Sequence, residues 1–376
     1  MSVDNFVTEN FRNLVSAQIV LHPKFNFIIG QNGSGKSSLL EALFFLGHGK
    51  SFRTNRLEHI VSFSQDNFIV SAKDANDNQL GLSKNISNQV TKLKLNGEIT
   101  YKLSNLVEHF AVQIVTPESF KLFFGGPKER RKFIDLGMFH VKHDFTGLWR
   151  KFNQVLKQRN AGIKNKFSKE ELEYWNNVFC ESSLIVAQRR AEYVELLEKE
   201  LNVMLGLLLP TFSNQVSIQY LQGWPKNRNL NECLQQAYDR ELAQGFSTYG
   251  AHRFDVRFLY GKHSIEACLS RGQQKLFLLA LTFAQAKLIE KVKRLKPILL
   301  IDDIGAELDA NSRTVLADTI LHMNCQAVIT AIDEEMIKPF IINFSSINNN
   351  GEQQEFKMFH VEHGKVIAKN EIKMSE

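Results

Sequence analysis

Gly30, Gly35, Lys36 and Ser37 have the spacing G-x-x-x-x-G-K-S/T, inside the stretch GQNGSGKSS that also holds Gln31, Asn32, Gly33, Ser34 and Ser38. Glycines at those places let successive backbone N–H groups curl around phosphate oxygens. The Lys36 ammonium can then reach the outer phosphates, and the Ser37 hydroxyl can hold Mg²⁺. A helix opening at this point adds its positive end. The chemistry expected is the binding of ATP with Mg²⁺.

Two further stretches could act on the same phosphates. The run ILLIDD ends in Asp302 and Asp303. Successive side chains diverge at a strand's end, so each carboxylate can take its own task. Asp302 is expected to hold the metal, and Asp303 to orient or deprotonate an attacking water. The other stretch is LSRGQQKLFLLAL, residues 269–281. Here Ser270, Gly272 and Gln273 precede a helix with an apolar face at Leu276, Leu279 and Leu281. A serine cap and a glycine at a helix N-terminus make a second anion site. One nucleotide needs only one phosphate loop, so the second turn requires its own explanation.

The elements that must position these residues can be read from the pattern. FNFII at 25–29 is a short apolar strand entering the loop, and the helix after the loop is expected to end at Gly47. Short alternating stretches from about Asn55 to Tyr101 predict antiparallel strands. Pro117 stops a further strand, VQIV. Leu172, Phe179, Val186 and Tyr193 recur every seven residues in a long helix over 168–208, with Trp175 and Leu196 at offset positions and Ser182 and Arg189 breaking the seam. Three to four leaky heptads suit packing within a helical lobe. Strands return from Gln215, and the chain closes as helix–strand–helix–strand, QAVITA being the last strand. This order predicts an α/β ATPase domain built from residues 1–125 and 211–376, with a helical lobe, 126–210, inserted between.

Composition bounds the partners. The 376 residues are 43% hydrophobic and 23% charged, with a net charge of +6. Residues 127–166 hold eleven Lys/Arg against three Asp/Glu, so the basic excess is concentrated there. Lys50, Arg53 and Arg56, with Lys128, Arg130, Arg131 and Lys132, are the candidates for contact with a polyanion. Cys180, Cys233, Cys268 and Cys325 are scattered and contain no CxxC pair, which fits neither a zinc site nor a disulfide frame. The polar start MSVDNFVTEN lacks a signal peptide's apolar core, and no run approaches the roughly 18 apolar residues of a membrane helix. A soluble, cytoplasmic protein without a membrane partner is expected.

Phosphate loop, SRGQ turn and carboxylate strand follow one another in an order that resembles the ATP-binding-cassette (ABC) ATPases, whose LSGGQ signature closes on the γ-phosphate held by a partner subunit. That resemblance implies an α/β, ABC-type P-loop ATPase domain with an inserted helical lobe. It also implies that Ser270, Gly272 and Gln273 cap the nucleotide of a twin, making ATP the glue of a homodimer. FRNL (11–14), LGHGKSFRT (46–54), QIVTPESFKLFFGGPKERRKFID (113–135), YGAHRFD (249–255), LSRGQQKL and IDDIGAELD narrow the match. In this order they resemble the RecF family of bacterial recombinational-repair ATPases over nearly the whole chain.

The RecF resemblance implies slow ATP hydrolysis and binding to single-stranded, gapped or duplex DNA. It further implies work with RecO and RecR to help RecA load, in support of the SOS response. It assigns metal and γ-phosphate sensing to Gln113, and a dimer contact to Asp309. Three departures stand out. Asp303 replaces a catalytic Glu, Thr330 stands where cassette ATPases have a switch His, and Ala251 and Phe254 replace the Pro and first Asp of the family's GPHRDD stretch. Among rival readings, a transporter ATPase subunit would lack the long insertion before Leu269. An SMC protein would carry a coiled coil of hundreds of residues, and a small-molecule kinase has no use for the SRGQ turn. An ATP-gated DNA clamp that barely hydrolyses remains open, because Asp303 is short.

Overall fold

The computed structural model describes residues 2–54, 56–87, 90–100, 110–142, 144–304, 308–347 and 356–369. The chain forms two compact units, residues 1–119 with 271–376, and residues 120–270. The first unit opens with strands β1 (Val3–Phe11), β2 (Leu14–Val20) and β3 (Phe25–Ile29). Helix α1 (Lys36–His48) and strands β4 (Asn67–Asp74), β5 (Gln79–Asn85), β6 (Thr91–Leu95), β7 (Glu98–Thr100) and β8 (Val112–Val115) follow. The second unit holds helices α2 (Lys121–Phe124), α3 (Pro127–Val141), α4 (Phe145–Lys164) and α5 (Lys169–Leu208), then β9 (Val216–Leu221), α6 (Leu230–Gln236), α7 (Tyr238–Gln244), β10 (Asp255–Tyr260), β11 (His263–Ser264) and α8 (Ile265–Cys268). The chain then returns to the first unit with α9 (Arg271–Lys293), β12 (Ile298–Ile301), α10 (Ala310–Leu321), β13 (Gln326–Ala331), α11 (Lys338–Ile347), β14 (Phe356–Glu362) and β15 (Lys365–Lys369).

Two sheets make the first unit. The central one runs β15-β14-β3-β13-β12-β8, parallel except for β15. FNFII, ILLI and QAVITA are buried at every position, as parallel strands covered on both faces must be. The other sheet, β2-β1-β4-β5-β6-β7, is antiparallel, and β4 alternates between buried and exposed positions. Helix α1 lies between them. Leu39, Leu43 and Phe44 share one core with Phe6, Phe11 and Phe68 of the antiparallel sheet and with Leu300 and Val328 of the central sheet. Every residue of α1 except Ser37 is therefore buried. Gln326 ties the chain's start to this sheet: its amide donates to the Val3 carbonyl at 2.7 Å and accepts from the Val3 N–H at 2.8 Å.

In the second unit, α5 opens with a capping box between Ser168 and Glu171. Leu172, Phe179, Val186 and Tyr193 are all buried along it, while Trp175 is half-buried and Leu196 exposed. Two buried ion pairs bind the unit. Arg159 meets Glu241 at 2.8 Å, and Arg190 meets Asp135 at 2.9 Å while stacking on Phe254 at 3.8 Å. No helix among the described residues is long and apolar enough to cross a membrane.

Four expectations are revised. The inserted unit runs from 120 to 270, not 126 to 210, and contains the sheet β11-β10-β9. The returning strands stay with the helices because the edge of β9 is bonded to α5, through Ile218 N–H to Glu198 and Asn202 to the Val216 carbonyl. Helix α1 passes Gly47, where a Cβ would lie 2.7 Å from Val112 Cγ2, and stops at Gly49, whose φ of 64° is left-handed. QAVITA is followed by a further hairpin, β14 and β15, which adds to the central sheet beside β3. Finally, α9 is buried continuously from Gln274 to Ala286 rather than along one face.

Candidate active site

The loop from Gly30 to Gly35 joins β3 to α1, and its shape is set by close backbone approaches. A Cβ on Gly30 would lie 2.3 Å from the Val361 carbonyl oxygen, so only glycine fits there. Gly35 has a φ of 122°, which side chains rarely adopt. Gln31, Asn32 and Gly33 form the exposed tip. Two other segments brace the loop. The Gly364 N–H donates to the Ser34 carbonyl at 2.8 Å. Asn13 accepts from the Ser38 hydroxyl at 2.8 Å and donates to the carbonyls of Ser34 and Gly33 at 3.3 and 3.4 Å.

Lys36 Nζ is buried and donates to the Gly30 and Gln31 carbonyls at 2.5 and 3.0 Å. Burial pushes its pKa below the ordinary lysine value, and the charges of Asp302 and Asp303 oppose that shift. The Ser37 hydroxyl donates to Asp302 Oδ1 at 3.0 Å. Thr330 Oγ1 donates to the same oxygen at 2.8 Å and accepts the Asp303 N–H at 2.8 Å. Asp303 sits in a left-handed conformation, with a φ of 54°. Its Oδ1 and Ser34 Oγ are buried without a hydrogen-bond partner among the described residues.

This donor set fits Mg²⁺ and a polyphosphate. A hydroxyl and a carboxylate converge on one point, a buried ammonium is held by two loop carbonyls, and two polar oxygens are left for a further ligand. Sheet order brings them together: β13 lies between β3, which leads into the loop, and β12, which ends at the carboxylates.

Other expected residues lie apart. Gln113 is inside β8, opposite Leu299. Val112 and Ile114 face the core under α1, so alternation turns Gln113 to the opposite face of the sheet. Its Nε2 is buried with no partner among the described residues, and no hydrogen bond links it to Ser37 or Asp302. Ser270 is exposed immediately before α9, and Gly272 and Gln273 are half-buried in its first turn. Asp309 caps α10, its Oδ1 accepting from the Ser312 N–H at 2.7 Å, and these bonds hold its carboxyl below the usual carboxylate range. Gly305, Ala306 and Glu307 of the GAELD stretch lie outside the described residues.

A family model described as the RecF/RecN/SMC N terminal domain matches residues 2–352. The chain is 58% identical over 371 residues to the DNA replication and repair protein RecF of Colwellia psychrerythraea (strain 34H / ATCC BAA-681), covering 98% of each. The chain belongs to the RecF family. It is also 37% identical to the protein of that name from Pseudoalteromonas translucida (strain TAC 125), covering 98% of this chain and 100% of that one. A solved structure of the recombination mediator protein RecF with ATP, in the RecFOR pathway, superimposes with a TM-score of 0.83 at 23% identity over 98% of both chains. An Smc head domain from Pyrococcus furiosus does so with a TM-score of 0.55 at 18% identity, over 98% of this chain and 96% of that one. At those identities the two structures speak for the fold alone.

Against this RecF-family background, the basic candidates separate. Arg130 makes a bidentate pair with Asp255, both contacts at 2.8 Å, and Arg131 donates to the Phe254 carbonyl at 3.1 Å. Arg53 lies 3.6 Å from Glu41, and Lys132 pairs with Glu129 at 2.9 Å. Lys50, Arg56 and Lys128 are exposed. On α4, the exposed Arg150, Lys157 and Lys164 are seven residues apart and so share a face; sequence reading passed over them because total charge does not tell a paired cation from an exposed one. Asn13, in the FRNL stretch, and Lys275, in LSRGQQKL, were also visible as letters, but their contacts are not local.

Asn13→Ala removes one brace of the phosphate loop. Amide exchange of residues 31–38 should accelerate about tenfold or more, with a stability loss of about 1 kcal/mol, typical for one hydrogen-bonding side chain. Unchanged exchange in this loop would mean that the Gly364 contact holds it alone.

Proposed function

We propose that this chain is an ATP-dependent DNA-binding protein of replication and recombinational repair. It closes as a homodimer around ATP, hydrolyses it slowly, and acts in the cytoplasm with RecO and RecR to help RecA load on gapped DNA, in support of the SOS response. The observation that carries the reading is the Ser37–Asp302 hydrogen bond at 3.0 Å, which joins the phosphate loop to the carboxylate strand. The names of the relatives, DNA replication and repair proteins and a RecF solved with ATP, support it.

Bound ATP would supply the phosphoanhydride and Mg²⁺ the charge neutralisation. The chain's own residues do the rest. Backbone N–H groups of the loop take phosphate oxygens, and Lys36 exchanges its carbonyl partners for them. Ser37 and Asp302 would hold the metal. Asp303 takes a proton from water at its buried, unpartnered Oδ1. Gln113 and Asp309 remain proposed as sensing and interface residues. Ser270, Gly272 and Gln273 cap the nucleotide of the twin.

An ATP-gated clamp with negligible turnover is the second reading, favoured by the shortness of Asp303. Steady-state phosphate release, with and without DNA, separates the two. The ATPase reading expects slow, DNA-responsive turnover that falls about 10²–10⁴-fold in Asp303→Asn, the usual contribution of a general base, with ATP binding retained. Turnover no higher in the wild type than in Asp303→Asn would favour the clamp.

DNA contact is proposed for exposed cations rather than for those held in ion pairs. Arg150, Lys157 and Lys164 span roughly 21 Å along α4, at 1.5 Å per residue. Each true phosphate contact contributes about −0.9 to the slope of log K against log salt. Replacing all three by alanine should flatten that slope by two to three units on gapped and duplex DNA alike, on the order of one per contact. Arg130→Ala should leave the slope unchanged and lower stability instead. A triple variant with the wild-type slope would place the DNA elsewhere.

A further inference from the structure

Asp303 is gripped from both sides. Its N–H donates to Thr330 Oγ1 at 2.8 Å, and its carbonyl accepts from Lys275 Nζ at 2.9 Å. The neighbouring Ile304 N–H donates to the Thr330 main-chain carbonyl at 3.1 Å. Thr330 is fully buried and Lys275 is 2% exposed, so neither bond competes freely with water. Between them Asp303 keeps a left-handed backbone, at a φ of 54°. Aspartate is one of the few residues with a side chain that visit this region, and these bonds keep it there.

The Thr330 hydroxyl has one proton and gives it to Asp302 Oδ1 at 2.8 Å. Its lone pairs are what the Asp303 N–H meets. One hydroxyl therefore links the Asp302 carboxylate to the Asp303 backbone, and a methyl in its place could do neither job. Asp303 has a shorter side chain than glutamate and only two side-chain torsions, so its carboxylate goes where its backbone points it. Lys275 adds a second link. It is the fifth residue of α9, the helix whose first turn contains Gly272 and Gln273.

We propose that Thr330 and Lys275 are positioning residues for Asp303, and that Lys275 ties the carboxylate's placement to the start of the helix that caps the twin's nucleotide. The inference rests on the proposed role of Asp303 in turnover. In a closed dimer, the nucleotide gripped by one protomer's α9 would thereby adjust the base serving that protomer's own ATP.

Thr330→Val, Thr330→Ser and Lys275→Met are made in the full chain, each with Asp303 intact and with Asp303→Asn. Steady-state phosphate release, ATP affinity by titration, and amide exchange of the ligand-free protein are measured. Thr330→Val and Lys275→Met should lower kcat by about 10–100-fold, the scale of a misplacement near 1 Å, and Lys275→Met should leave ATP affinity within about threefold of wild type. Thr330→Ser keeps the hydroxyl and should restore kcat to within threefold. In the Asp303→Asn background Lys275→Met should not lower turnover further, because it acts through Asp303. Exchange of the Asp303 amide in the ligand-free protein should rise at least tenfold in Thr330→Val and stay near wild type in Thr330→Ser. A Lys275→Met loss that adds to that of Asp303→Asn, a Thr330→Ser variant as impaired as Thr330→Val, or an Asp303 amide unchanged in Thr330→Val would each overturn the proposal. If the wild type turns over no faster than Asp303→Asn, the ATPase reading fails, and the amide measurement alone then decides whether Thr330 holds the Asp303 backbone.

Discussion

The bond between Ser37 and Asp302 joins residues 265 positions apart, and the chemistry proposed for the chain depends on it. Neither residue could be placed by local structure. Ser37 stands at the start of a helix enclosed between two sheets, and it is the one residue of that helix that is not buried. Asp302 ends a strand whose four residues are all buried. Both are therefore positioned by the packed core, which has little freedom to shift. Glu41 extends the same logic to the helix's outer side. Fully buried, it takes two hydrogen bonds from Arg12, at 2.7 and 3.0 Å, and one from Ser51. A buried carboxylate so fully bonded orients its neighbours more than it stabilises the fold, because desolvation offsets much of the attraction.

The phosphate loop, the carboxylate strand and the strands that position them were legible in the sequence because each is a local pattern. Glycines at fixed spacing, apolar runs of four to six residues and a proline stop are all visible without partners. The missing parts are those decided by distant residues. Arg130 reads as a candidate for polyanion contact until Asp255, 125 residues later, is brought against it. Strands 216–221 and 255–260 read as a return to the first domain, yet their edge belongs to α5. Gln113 falls at the expected place in chain order, but strand alternation turns it to the face opposite α1. Phe254 replaces an acid of the family pattern, and the guanidinium it stacks on comes from Arg190.

The two proposed phosphate grips differ in how firmly their surroundings hold them. The loop at Gly30–Ser37 is braced by Asn13, Gly364 and Asp302 and holds a buried lysine. The turn at Ser270–Gln273 offers an exposed serine and a helix start with no comparable ammonium among its own residues. A site of the first kind can bind a nucleotide alone. A site of the second kind is better suited to complete one that is already held, which agrees with the proposed capping of the twin's nucleotide.

Sedimentation of the Ser270→Arg variant with ATP tests that division most directly. The account predicts that each monomer binds ATP with wild-type affinity while the ATP-dependent dimer is lost, because the arginine fills the space of the twin's γ-phosphate. A variant that dimerises with ATP as fully as the wild type would contradict it.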